Sequence, residues 1–317
     1  MHQSGKAKVA IIGAGNVGAS IAFAMAIQQN ASEIVLIDTR AEKAVGEALD
    51  INHGLCFLGQ MSVYAGDYPD IADCDVIIIT AGVGRKPGQT RLDLTRTNLG
   101  IAKDITNNIM KYYNRGVILV VANPVDILTY KIQKWSGLPN GRVFGTGTVL
   151  DSARFRFVIA QKFNIDVRNV HGYIVGEHGD TQLPLWSATH IAGMNIEEYG
   201  RMHNNSFTDE DKKMIMDDVK NAGAVIIKNK GATYYAIAVS VNNLVETLIN
   251  NQNTIRTVSS VIDGYYGIHD VAISLPSMIN SDGVERIIEY PITEEEQKKL
   301  HASADALKSI LDAVKDI

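Results

Sequence analysis

The apolar run Val9–Ile12 stops at Gly13, and an Ala-rich stretch with a helical pattern runs on to about Gln29. Between them stands Gly13-Ala14-Gly15-Asn16-Val17-Gly18, a GxGxxG spacing. Glycines so spaced are often only turn residues. The strand before and the helix after give this run its weight. Gly13 permits a tight turn, Gly15 lets a pyrophosphate approach the backbone, and Gly18 lets the helix pack closely on the strand. The free N–H groups and dipole at the helix start favour an anion there. This feature restricts the first part of the chain to a βαβ unit with parallel strands.

The pattern continues as that unit requires. Glu33–Asp38, Met61–Ala65, Asp75–Thr80 and Gly116–Ala122 read as further strands, and Ala41–Asn52 and Asn98–Asn114 as helices. Strands apolar on both faces imply a parallel sheet covered by helices. The second half holds strands at Val170–Gly176, Val258–Val261 and Ala272–Leu275, and long helices at Asp209–Lys228, Thr233–Asn250 and Thr293–Val314. Thr293 followed by Glu296 is a capping-box pattern. The expected class is α/β: a Rossmann-type doubly wound parallel sheet over residues 1–147, then an α+β catalytic domain over 148–317.

Bulk properties narrow the function. A net charge of −5 gives no overall pull toward nucleic acid or an anionic membrane. No stretch approaches the roughly 20 apolar residues of a membrane helix, and the first residues show no signal-peptide layout. Two cysteines, Cys56 and Cys74, form neither a disulfide framework nor a metal cluster. A reducing, cytoplasmic setting without a metal is expected.

Asp38 ends the second strand, twenty residues after Gly18. A carboxylate there can bond both ribose hydroxyls and repel a 2′-phosphate, which selects NAD over NADP. Its alternative is a turn or helix-cap residue. Thr80-Ala81-Gly82, after the fourth strand, would complete the crevice. His178 follows an apolar strand in Val175-Gly176-Glu177-His178-Gly179-Asp180. A lone histidine is more often structural, but one at a strand end between glycines can act as acid or base near neutral pH. Asp151 and Arg154, three apart in the helical-looking Leu150–Phe157, share one side, either as a surface ion pair or as site groups among apolar neighbours. Arg91 lies in Gly82–Leu94, a glycine- and proline-punctuated segment that also carries Arg85 and Lys86. It reads as a mobile loop for an anionic substrate, or as solvated charge.

The stretches VAIIGAGNVGAS, EIVLID, IIITAGVGRKPGQTRLDLTRTN, VVANPVDILTY, GTGTVLDSARFR, HGYIVGEHGDTQLPLWS and GVERIIEYPIT, in this order, resemble the lactate/malate dehydrogenase family over essentially the whole chain. The resemblance implies NAD-dependent interconversion of a small 2-oxo acid and its L-2-hydroxy acid. It implies His178 as proton donor, Asp151 as its orienting partner, Arg154 as the grip on the C1 carboxylate and Arg91 as the group that polarises the carbonyl. Asn123 would bond near the substrate oxygen and the nicotinamide, and Thr233 would line the substrate site. The cofactor would meet Gly13, Gly15, Asn16, Val17, Gly18, Asp38, Thr80, Ala81, Gly82, Asn98, Val121 and Asn123. A homotetramer is implied, with a dimer as alternative. Arg156 and His171 match the two positions with which bacterial lactate enzymes bind fructose 1,6-bisphosphate; otherwise they are a surface charge and a satisfied strand residue.

One position departs from the rest. The second half is similar to the lactate branch, as is Thr233, yet Arg85 stands where that branch has glutamine and the malate branch arginine. An arginine buried against pyruvate's methyl would lack a partner, at a cost of several kcal/mol. Oxaloacetate's second carboxylate removes that problem, so malate/oxaloacetate is the leading expectation and lactate/pyruvate the alternative. A non-catalytic NAD-binding sensor is a third, which the complete set of acid, orienter and arginines argues against.

Overall fold

The computed structural model describes residues 7–84, 88–203 and 207–317. The first half runs β1 (Lys8–Ile12), α1 (Asn16–Gln28), β2 (Glu33–Ile37), α2 (Ala41–Gly54), β3 (Ser62–Ala65), β4 (Val76–Ile79), α3 (Arg91–Tyr112), β5 (Val117–Val120), α4 (Val125–Ser136) and β6 (Val143–Gly145). The second half opens with α5 (Val149–Phe163), then the short strands β7 (Val170–His171), β8 (Ile174–Val175), β9 (Leu183–Pro184), β10 (His190–Ile191) and β11 (Met194–Asn195). Three helices follow: α6 (Ile196–Met202), α7 (Asp209–Lys230) and α8 (Tyr235–Ile249). A meander of β12 (Thr254–Asp263), β13 (His269–Asn280) and β14 (Gly283–Ile287) leads to α9 (Glu294–Ala313). Among the described residues, no helix is long and apolar enough to cross a membrane.

Among the described residues the main sheet has nine strands in the order β14-β13-β12-β6-β5-β4-β1-β2-β3. β1 to β6 pair in parallel and β12 to β14 antiparallel. The β-branched strands alternate their side chains between two cores. Ile12, Val35, Ile77 and Val120 join a cluster with residues of α3, α4 and α9. Val9, Ile11, Ile34, Val76 and Leu119 join another with residues of α1, α2 and α8. Both faces of the parallel part are therefore covered, as its uninterrupted apolar strands require. A third, smaller core gathers Phe155, Val170, Ile191 and Val219 of the second half.

Several boundaries differ from the sequence reading. α3 begins at Arg91, not Asn98, because Thr90 caps it and forms a capping box with Asp93. The expected loop thus ends at Thr90, and Arg91 is helical. The single strand expected over Val170–Gly176 is two, since β7 pairs with β10 while β8 pairs with β9. At the change of partner, a side chain on Gly172 would collide with the Phe155 ring. β12 and β13 are much longer than the apolar runs inside them, because pairing with each other, rather than hydropathy, sets their ends.

The cap expected at Thr293 is present. Thr293 accepts from the Glu296 N–H at 3.2 Å, and Glu296 accepts from the Thr293 N–H at 2.9 Å. Glu296 also accepts from the Ser187 N–H and hydroxyl, tying α9 to the body. Burial would raise its pKa, but these hydrogen bonds outweigh burial and lower it. Thr293→Ala should cost about 1 kcal/mol by denaturant midpoint, and Glu296→Ala about 2–3 kcal/mol, since more bonds are lost. Equal losses would refute this account. Glu296's contribution is fully present above its ordinary pKa of 4.5 and disappears as pH falls through the lowered folded value. The gap between wild type and Glu296→Ala should therefore narrow below that pH.

Candidate active site

Gly13 and Thr80 end the two central parallel strands, β1 and β4, whose connections leave in opposite directions across the sheet. Gly13 has φ +107°, and a side chain there would strike Ala81 and Thr80. A side chain on Gly18 would strike the Gly13 carbonyl. Nothing lies within 4 Å of the place a Gly15 side chain would take, so the protein's own packing does not demand that glycine. The residue faces a cavity of about 610 Å³ that Asp38 also lines. No side chain caps α1, which leaves its first N–H groups available. A second cavity of about 630 Å³ adjoins the first, with Thr80, Gly82 and Val83 common to both, and Val17, Val121 and Asn123 line it. The two together suit an elongated dinucleotide with its diphosphate at the start of α1.

Two expected cofactor contacts are also structural. Asp38 accepts from the Ala14 N–H at 2.7 Å and the Arg40 N–H at 2.9 Å, so one carboxylate both lines the cavity and holds the glycine turn. Asn98 is buried, and its amide bonds Val83 and the Asn123 carbonyl, clamping α3 to the crevice.

The second cavity brings His178, Asp151, Arg154, Asn123 and Thr233 together. His178 Nδ1 lies 2.6 Å from Asp151 Oδ2, and Arg154 Nη1 donates to Asp151 Oδ1 at 3.1 Å. Asp151 is on the first turn of α5, where the helix dipole favours its charge. Burial would raise the Asp151 pKa, but His178 and Arg154 outweigh it and lower the value. For His178, burial acts downward, and the charge and hydrogen bond of Asp151 override it, so its pKa is raised. The arrangement favours a proton on the imidazole, beside a guanidinium suited to a carboxylate.

Arg91 is not part of that cluster. It starts α3 and donates to Asp180 at 2.6 Å, and both side chains are more than 70% exposed. An ion pair so exposed is worth at most about 1 kcal/mol and is readily exchanged for another anion. Arg85 lies outside the described residues. The sequence reading missed Gln182, Lys220, Gly223 and Ile237 in the cavity wall. Gly223 and Ile237 carry no chemical signature, and Lys220 is one of many charges along α7, so nothing local singles these three out. Arg156 and His171, far apart in sequence, line a separate cavity of about 110 Å³ with Arg256. Burial lowers the pKa of both arginines. Arg156 donates to Ser152 O and Arg256 to Asn243.

A doubly wound sheet, a diphosphate-sized crevice and a His–Arg pair on a buried aspartate beside it define a nicotinamide-dependent oxidoreductase. Residues 7–145 match the lactate/malate dehydrogenase NAD-binding domain, and residues 148–317 the α/β C-terminal domain of the same family. The chain is 49% identical over 308 residues to an L-lactate dehydrogenase of Thermoanaerobacterium saccharolyticum, covering 96% of this chain and 98% of the relative. It is 48% identical over 307 residues to L-lactate dehydrogenase 1 of Clostridium acetobutylicum, covering 97% and 98%. Among solved structures, the minor L-lactate dehydrogenase of Enterococcus mundtii with ligands bound superposes with a TM-score of 0.95 at 45% identity, covering 98% of each chain. An L-lactate dehydrogenase from Clostridium thermocellum gives 0.88 at 62% identity, covering 98% of this chain and 100% of that one. The chain belongs to the lactate/malate dehydrogenase family. It is an NAD-dependent oxidoreductase acting on the CH–OH group of a 2-hydroxy acid.

Asp38→Ser should relax the preference for NADH over NADPH. Because Asp38 also holds Ala14, the variant should raise the KM for NADH as well. Comparing kcat/KM for both cofactors tests this. Wild-type turnover with NADPH equal to that with NADH would remove Asp38 from the role.

Proposed function

We propose that the protein is an L-lactate dehydrogenase, interconverting pyruvate and L-lactate. The observation that carries its chemistry is the His178–Asp151–Arg154 cluster in the cavity wall. The relatives, named L-lactate dehydrogenases at 48–49% identity over nearly the whole chain, favour pyruvate over oxaloacetate.

When bound in the crevice, NAD(H) would supply or take up the hydride at C2 of the substrate. Asp151 accepts from Nδ1 of His178, which leaves Nε2 to face the substrate. In reduction Nε2 gives its proton to the carbonyl oxygen; in oxidation it takes the hydroxyl proton. Arg154 holds the C1 carboxylate with two parallel hydrogen bonds, and Arg91, released from Asp180, polarises the carbonyl. Asn123 and Thr233 complete the substrate wall. Gly13, Gly15, Asn16, Val17, Gly18, Asp38, Thr80, Ala81, Gly82, Asn98, Val121 and Asn123 hold the cofactor. Residues 1–147 thus carry the cofactor, and residues 148–317 the proton donor and carboxylate grip.

The oxaloacetate reading keeps one supporting observation, the arginine at position 85. It now stands second, because the named relatives weigh against it. A non-catalytic sensor would have no use for a histidine poised on a buried aspartate. Exposed apolar side chains on α1 (Phe23, Ile27), α2 (Val45, Leu49) and α8 (Tyr235, Val239) support a homo-oligomer; a tetramer ahead of a dimer follows the family resemblance alone. The cavity of Arg156, His171 and Arg256 suits an anionic effector such as fructose 1,6-bisphosphate. Two free cysteines agree with a cytoplasmic setting.

His178→Asn should retain NADH binding and lose ~10²–10⁴-fold in turnover. Because the His178 pKa is raised, wild-type reduction should persist above the ordinary histidine range and then fall as pH rises, while oxidation rises. A variant that turns over normally would put the acid elsewhere. Substrate choice rests on kcat/KM for pyruvate and oxaloacetate in wild type and Arg85→Gln. We expect wild type to prefer pyruvate and the variant to weaken oxaloacetate reduction further. A wild-type preference for oxaloacetate that Arg85→Gln reverses by ~30-fold or more would establish the malate reading instead.

A further inference from the structure

Asp126, second residue of α4, is 3% exposed, and the reaction as described makes no use of it. Its Oδ2 accepts the His178 backbone N–H at 2.8 Å, across 52 residues of chain. Its Oδ1 has no hydrogen-bond partner. The Ser259 hydroxyl of β12 is near enough to favour the ionised form but makes no hydrogen bond of ordinary geometry, so the two are neighbours rather than a bonded pair. A buried carboxylate with an unpartnered oxygen is unfavourable, and an asparagine or serine could also hold the amide.

Holding the turn does not account for the carboxylate. Gly176 already exchanges two backbone hydrogen bonds with Ser274, at 3.0 and 3.1 Å. The Glu177 N–H donates to Ser303 Oγ at 2.8 Å. What the carboxylate adds is negative charge behind the imidazole, and it acts to raise the proton affinity of His178. It does so from the α4 side, while Asp151 acts from α5.

We propose that Asp126 is a positioning residue for the proton donor: it fixes the His178 backbone and supplies a second negative charge that stabilises the imidazolium. The proposal rests on the reading of His178 as that donor. Burial pushes the Asp126 carboxyl up to about 6, against the pull of Ser259 and His178. α4 packs against α3, β5, β6, β12, β13 and α9. The titratable groups that act on Asp126 are His178, which favours its charge, and Glu177, which opposes it, both on the turn after β8. At neutral pH the carboxylate is therefore mostly ionised.

The test compares full-length wild type with Asp126→Asn and Asp126→Ser, both of which keep an oxygen for the His178 amide. The readout is kcat/KM across pH for whichever of pyruvate and oxaloacetate the wild type prefers. Both variants should move the alkaline fall in reduction to lower pH by about half a unit, which is roughly threefold lost on that limb. The KM for NADH should stay unchanged. A wild-type pH profile in the folded variants, whatever their melting temperature, would overturn the proposal. Failure of both variants to fold would assign Asp126 to folding and overturn it equally. His178→Asn serves as the control. If that variant turns over normally, the reading of His178 fails. If it is inactive and the Asp126 variants do not shift, the Asp126 proposal alone fails.

Discussion

The parallel pairing of β1 with both β2 and β4 is the constraint on which the molecule depends. Hydrogen bonds on both edges hold β1 at the centre of the six parallel strands, and the chain must leave its end toward one side while β4's chain leaves toward the other. No connection can cover the end of β1, so a crevice opens there. β5 and β6 extend the same parallel array, and the chain leaving β6 enters α5, which carries Asp151 and Arg154. The cofactor crevice and the acid–base cluster are neighbours because successive strands of one sheet point the same way.

Within the site, one buried carboxylate meets two cationic partners. Asp151 is bonded to His178 and Arg154, and with the imidazole protonated the three carry a net charge of about +1. Asp126, behind the imidazole, offsets part of that excess, and a substrate carboxylate meets the exposed edge of Arg154. A second carboxylate would need a further cation, and Arg85 is the residue in the sequence that raises that question. Arg91, paired with exposed Asp180, lies outside the cluster and is weakly committed.

The parts of this fold that were legible in the sequence are those determined locally. Val76–Ile79 is so uniformly apolar that a buried strand is its main outlet, and the glycines at 13, 15 and 18 explain themselves once a strand precedes them. Thr90-Arg91-Leu92-Asp93 spells a helix cap as plainly as Thr293 and Glu296 do, although it follows directly on the glycine- and proline-punctuated stretch from Gly82 to Gly88. What could not be read depends on partners distant in the chain. β6 is three residues long and exists because β5 and β12 flank it. Asp126 looks like an ordinary acidic residue in the first turn of a helix until His178 arrives from 52 residues away.

β6 meets β12 through one residue pair, Gly145 with Ser259, and that contact joins the parallel and antiparallel strands into a continuous sheet. A side chain on Gly147, just beyond, would strike Ser274 and the backbone of Val258 and Ser259. The two halves are therefore stitched through their backbones at the centre of the molecule. A clamshell opening about a linker is not available to such an architecture. The distance from the glycine turn to the imidazole is set by strand spacing, and adjustment around a bound ligand falls to side chains and surface segments.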